Sequence, residues 1–150
     1  MHSKQPKIWV GVIAFNEGTG TAVKEDGSVS SNIIECLTSV LPYIKGVCVY
    51  DTGSTDDTAM LVQRFVKQHK LRGGIYFSKF VDFATNRNIV IRHINNFTKA
   101  SHILLLDADE RFNLRSSIDI KNNDDKKDLL YSILYDKSDI DVFNLPIEMN

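Results

Sequence analysis

Apolar residues in this chain fall in short continuous runs separated by polar or helically periodic segments. Residues 8–15 (IWVGVIAF) form an unbroken apolar run of strand length, rich in β-branched side chains, and predict a strand buried on both faces. Residues 18–31 are rich in Gly, Thr and Ser and predict a loop insertion or a small hairpin turning at Asp26-Gly27. Asn32 with Glu35 is a capping-box pattern that opens a helix with Ile33, Ile34, Leu37, Val40 and Leu41 on its apolar face, and Pro42 ends it. Residues 47–50 (VCVY) predict a second buried strand. A helix to about Lys70 follows, with Ala59, Val62 and Val66 inward.

Arg72-Gly73-Gly74 predicts a turn into a strand at 75–79. Residues 82–97 predict a helix with Ala84, Ile91 and Ile94 inward, and residues 101–106 a fourth strand stopping at Asp107. Residues 116–127 predict a polar loop, 128–135 a short helix and 140–147 a last strand. Strands alternating with helices through short connections predict an α/β fold: a Rossmann-like, mainly parallel sheet with helices on both faces, in one domain spanning 1–150. In such sheets ligands bind at the carboxyl ends of the strands, so the residues just after each apolar run are expected to carry the chemistry.

Composition narrows the classes. With 18 Lys+Arg against 19 Asp+Glu, the formal charge of −1 lacks the basic field that nucleic-acid binding relies on. At 43% hydrophobic the chain has enough apolar content for one core, and no apolar run reaches the roughly 20 residues of a membrane helix. The polar start MHSKQPK lacks a signal-peptide pattern. A cytoplasmic location is therefore expected, with Cys36 and Cys48 as reduced core thiols and the sequon Asn96-Phe97-Thr98 silent. His2, His69, His93 and His102 have no ligand spacing, and no nucleophile elbow, P-loop or complete G-x-G-x-x-G is present.

The strand ends are polar throughout, and each carries at least one carboxylate. Ala14-Phe15-Asn16-Glu17 follows the first strand and Asp51-Thr52-Gly53-Ser54 the second. Asp82 with Arg87 follows the third, and Asp107-Ala108-Asp109-Glu110 the fourth. Carboxylates gathered on one edge repel unless a cation is present, and an all-oxygen donor set suits Mg²⁺ or Mn²⁺, which commonly completes its shell with phosphate oxygens. A ligand carrying a diphosphate is expected. In an extended segment Asp107 and Asp109 share a face, so both can approach one ligand, although a solvated acidic turn is the plain alternative. Ser54 or Thr55 is placed to cap the following helix, with Asp56 and Asp57 complementing its dipole. Asp51 is left to accept a hydrogen bond from a ring N–H such as a nucleobase imide. Arg87, in the first turns of a helix, is better explained by an anion before it, a diphosphate or the acidic cluster, than by the dipole; an ion pair with Asp82 is the bland reading. Phe15 is either core or a platform for a flat base.

Taken in order, VIAFNE (12–17), VYDTGSTDDT (49–58), DFATNRN (82–88) and LDADER (106–111) resemble the family 2 glycosyltransferases of the GT-A fold, over about residues 8–112. The resemblance implies nucleotide-sugar donors, commonly UDP-linked, and transfer with inversion. It implies that Asp51 hydrogen-bonds the base beside Ala14 and Phe15, that Asn16 and Glu17 lie near the ribose, and that Arg87 faces base and diphosphate. Asp107, with Ala108, is placed toward ribose or metal-bound water, and Asp109 toward a Mn²⁺ or Mg²⁺ ion. The family's catalytic base and acceptor groove lie in residues beyond those matched here, so the base is expected beyond residue 150 and the acceptor, whether glycan, lipid or protein, stays open. The resemblance also implies that sugar selection rests largely on that region; segment 18–31, longer than the family usually places there, is expected to be a surface insertion, with a flap near the base as the alternative. A partner chain, such as a second copy, is expected to be able to supply what is missing. Two other readings compete: a binding module that holds a nucleotide sugar without turnover, and a sugar-phosphate nucleotidyltransferase, whose basic glycine-rich loop after the first strand is lacking here.

Overall fold

The computed structural model describes residues 5–113, 122–136 and 147–149. Four strands, β1 (Ile8–Ala14), β4 (Ile44–Asp51), β5 (Arg72–Phe77) and β6 (His102–Asp107), form a parallel sheet in the order β5-β4-β1-β6. Between them run α1 (Asn32–Val40), α2 (Thr58–Gln68) and α3 (Phe83–Phe97). Period two along β1 divides the core: Ile8, Val10, Val12 and Ala14 pack with α1 and α2, whereas Trp9 joins Cys48, Val90 and Ile94 under α3. Helices thus cover both faces, which is why the strands read as continuous apolar runs. Gly11 lets α3 approach. A Cβ there would lie 2.6 Å from Val90 Cγ1 and 3.1 Å from Leu105 Cδ2.

The chain leaves β1 toward β4 and β5, then returns to the other side of β1 to form β6, so the topological switch lies at β1. The segment after β1 is a hairpin of β2 (Thr19–Val23) and β3 (Val29–Ser31), turning through Gly27, whose φ is +84°. After β6, β7 (Glu110–Phe112) pairs antiparallel with β8 (Ile147–Met149), and α4 (Asn123–Asp136) buries Leu130 and Leu134 in the α1 side of the core.

Several expectations are corrected. Ser31 caps α1, its hydroxyl accepting from the Ile34 N–H at 3.1 Å, so Asn32 is the first helical residue and not the cap. In α2 the buried positions are Thr58, Val62 and Phe65, while Ala59 and Val66 are half-buried. In α3 they are Asn86, Val90 and Ile94, and Ala84 is exposed, because Asn86 turns inward to hold the loop before the helix. Its amide accepts from Val81 N–H at 2.9 Å and donates to Lys79 O at 3.1 Å. β5 starts three residues earlier than expected, with Gly73 and Gly74 paired to Val47 and Cys48. α4 begins at Asn123, so residues 123–127 are helical rather than loop, whereas 116–121 and 140–146 lie outside the described residues. Both thiols are buried and unpaired, and burial pushes each up to about 12.

Candidate functional site

Parallel register brings the strand ends level. Asp51 stands opposite Ala14 on one side of β1, and Asp107 opposite Ile13 on the other. The loop after β1 is laced to the loop after β4 by side chains some 38 residues apart. Asn16 has φ +51°, a left-handed conformation that Asn tolerates better than most residues. Its N–H donates to Ser54 Oγ at 2.8 Å and its Oδ1 accepts from Thr55 N–H at 2.8 Å. Glu17 N–H donates to Thr58 Oγ1 at 3.0 Å, Gly18 N–H to Asp56 Oδ2 at 2.9 Å and Thr19 N–H to Asp57 Oδ1 at 2.8 Å. A Cβ on Gly18 would meet Asp56 Oδ2 at 2.8 Å, so glycine lets the Asp56 carboxylate reach the Gly18 N–H without moving aside. Neither Ser54 nor Thr55 caps α2; Asp57 occupies the cap position without a side-chain cap bond. Asp56 and Asp57 serve chiefly as loop ties, and the hydrogen bonds they accept hold both carboxyls below the usual range, against burial in the case of Asp56.

Asp51 is buried, and its Oδ1 accepts from Gly53 N–H at 3.0 Å and Ser54 N–H at 2.8 Å. The tight turn after β4 is therefore built on this carboxylate. Among the described residues Oδ2 takes no hydrogen bond, so one oxygen stays available. Phe15 is 55% exposed at the end of β1, outside the core, whereas Ala14 and Ala108 are buried.

Arg87 does not pair with Asp82, which caps α3 by accepting from Thr85 N–H at 2.6 Å. Its guanidinium instead donates to Asp107 Oδ1 at 3.1 Å, with Arg87 also standing over the Phe83 ring at 5.6 Å. The ground for placing both acids of the Asp107-Ala108-Asp109 run on one face is corrected. β6 ends at Asp107, residues 108–109 form a turn, and Glu110 Oε1 closes it by accepting from Asp107 N–H at 2.7 Å. Asp107 consequently lines a small cleft of about 150 Å³ with Arg87, Val90 and Glu110. Asp109 lines a separate groove of about 840 Å³ between the β2–β3 hairpin and Arg111.

Glu17 sits between these parts. Its Oε2 is buried without a hydrogen-bond partner, and burial raises its pKa, with the Asp109 charge adding to the rise while Asn32 and Arg111 oppose it. An orphaned carboxylate oxygen beside a second carboxylate, in an all-oxygen set, fits a hard cation. Among the described residues no three potential ligands gather to hold an ion by themselves. A cation here would rest on one or two carboxylates and draw the rest of its shell from a ligand.

Neither Arg111 nor Asn32 is among the site residues expected from sequence, where Asn32 reads only as the opener of α1. Arg111 donates to Asn32 Oδ1 at 2.9 Å, joining the residue after the acidic turn to the first residue of α1. The only sign of this in the chain is that Arg111 follows a carboxylate-rich turn. No described helix is long and apolar enough to cross a membrane.

Comparison with known proteins bears on this geometry. The model of Glycosyl transferase family 2 matches residues 9–116. No curated protein matches the chain. Among solved structures, the chain resembles S. aureus TarS 1–349 in complex with UDP, with 19% identity, a TM-score of 0.52, and coverage of 93% of this chain and 38% of that one. A longer crystal structure of S. aureus TarS matches at 22% identity and TM-score 0.47, over 71% of this chain and 17% of that one. The first of these likenesses shows a shared fold, and the chain spans well under half of either TarS structure.

Proposed function

The chain belongs to glycosyl transferase family 2, and from that premise we propose that it binds a nucleoside-diphosphate sugar at the carboxyl edge of its sheet and serves in transfer of the sugar with inversion. The observation that supports the reading is that Asp51 and Asp107 end the strands on either side of β1, with Arg87 paired to Asp107, while the loops after β1 and β4 are tied together by hydrogen bonds. The uridine nucleotide is chosen because the TarS structure of like fold is a complex with UDP.

In this reading the free Oδ2 of Asp51 accepts from the base imide, while Phe15 offers its exposed ring to the base face. Asn16 and Glu17 stand toward the ribose beside Ala14, and Ala108 keeps the turn after β6 close-packed. Arg87 exchanges its Asp107 partner for the incoming diphosphate, a stronger and bidentate anion. Asp109, aided by Glu17 and Asp107, would hold Mn²⁺ or Mg²⁺, which when bound offsets negative charge on the leaving diphosphate. Transfer requires an acceptor oxygen to attack the anomeric carbon as its bond to the diphosphate oxygen breaks, and a carboxylate to take the acceptor proton. None of the described residues is assigned as that base, and the acceptor is open.

Calorimetry with UDP, GDP and dTDP, with and without Mn²⁺, tests the reading on the intact chain and on Asp109→Asn. UDP is expected to bind in a metal-dependent way, and the variant to weaken it at least tenfold. Equal binding without Mn²⁺ removes the metal assignment. Tight binding with neither donor hydrolysis nor transfer favours a module that holds the donor without turnover.

A further inference from the structure

The β2–β3 hairpin stands beside the site as a fixed wall. Its first strand is held through Gly18 and Thr19 by Asp56 and Asp57, and through Thr21, whose Oγ1 accepts from Asn32 N–H at 2.8 Å and so ties the strand to the start of α1. Ile33 N–H donates to Glu17 O at 3.0 Å, so the start of α1 is bonded to the loop below the hairpin. Held in this way, the hairpin lines, together with Asn32, Glu35, Asp109 and Arg111, an open groove of about 840 Å³, a volume within the roughly 300–1,000 Å³ usual for small-molecule clefts. Across it Lys24 Nζ, from the hairpin, meets Glu35 Oε1, from α1, at 3.5 Å.

We propose that this hairpin and the start of α1 form the subsite for the transferred glycosyl group and select a neutral sugar over a uronic acid. The inference rests on the proposed donor site: if Asp109 marks the diphosphate, the groove opening from Asp109 receives what lies beyond the diphosphate, which is the sugar. The groove supplies donors from Lys24 and Arg111 and acceptors from Glu25, Asp26 and Glu35, the mixture that hydroxyl groups satisfy, since each hydroxyl both gives and takes a hydrogen bond. Four carboxylates, counting Asp109, stand against two cations in its lining. A sugar carboxylate entering there meets like charge, and one divalent cation shared with a diphosphate does not reverse that balance. The segment that reads as a surface insertion thereby becomes a specificity element carried within the first third of the chain.

The test measures binding of UDP, UDP-glucose and UDP-glucuronate by calorimetry in the presence of Mn²⁺, on the wild-type chain, Lys24→Ala and Glu35→Gln. Wild type is expected to bind UDP-glucose more tightly than UDP-glucuronate. Each variant should lose about tenfold in UDP-glucose affinity, the scale of one hydrogen bond to a charged group, with UDP affinity unchanged. Lys24 is more than half exposed, so its replacement leaves folding intact, as a matching thermal melt will show. UDP binding with UDP-glucose affinity unchanged in both variants, or with glucuronate preferred, overturns the inference alone. Failure of wild type to bind UDP overturns the donor-site reading and the inference with it.

Discussion

Asp51 combines a structural and a proposed recognition role in one carboxylate, and two substitutions separate them. Asp51→Ala removes the acceptor of the Gly53 and Ser54 N–H groups, bonded at 3.0 and 2.8 Å. Hydrogen bonds to a charged group contribute about 1.5–3 kcal/mol each. Gly53 is exposed, so water replaces part of the loss there, and a net cost of about 2–3 kcal/mol is expected. For a chain of this length that lowers Tm by about 4–12 °C. Asp51→Asn keeps a carbonyl oxygen at the Oδ1 position for both amides, so the turn survives at a cost of about 1 kcal/mol. It replaces the second oxygen by an N–H₂ donor, which faces the imide N–H donor of a uracil without complementarity. The Asn variant should therefore melt within about 4 °C of wild type yet bind UDP about 10–100-fold more weakly, the range of one charged hydrogen bond. Differential scanning calorimetry and isothermal titration read the two quantities separately. An Asn variant that binds UDP within twofold of wild type would refute the base-reading role and leave Asp51 as a turn residue only.

Three further outcomes are expected. Gly11→Ala places a Cβ 2.6 Å from Val90 Cγ1 and should cost about 1–3 kcal/mol in urea unfolding, a cost that Val90→Ala in the same chain partly relieves; simple additivity of the two would count against the close packing of α3 on β1. Asp56→Ala should lower stability by about 2–3 kcal/mol and speed amide exchange at Gly18, whose N–H it holds at 2.9 Å, whereas unchanged exchange would mean the loops stay joined without it. Glu17 has a pKa raised above its ordinary 4.5 in the folded chain, so ionising it disfavours folding and stability falls as pH rises through its folded pKa. Glu17→Gln should thus be more stable than wild type at pH 7, with the gain vanishing well below 4.5 where both forms are neutral, and a gain independent of pH would contradict burial as its cause.

The sheet and its helices are legible in the sequence because burial on both faces writes itself as runs such as residues 8–15, and helix faces as a 3.6-residue period. The position of the site follows from the same pattern, since polar residues after every buried run must meet at one edge of a parallel sheet. Hydrogen bonds across the loops leave no such trace. Asn16 with Ser54, or Gly18 with Asp56, are joined by the register of β1 against β4, and no local spacing distinguishes an acid that complements a helix dipole from one that ties a distant amide. The same limit explains Asp107 and Asp109. Two residues apart, they share a face only while the strand continues, and whether it continues depends on Glu110 folding back onto the Asp107 N–H. One side-chain contact of that kind sends one carboxylate toward Arg87 and the other toward the hairpin groove. The two carboxylates are thereby parted: Asp107 is paired with Arg87 beside a small cleft, and Asp109 lines the groove under the hairpin.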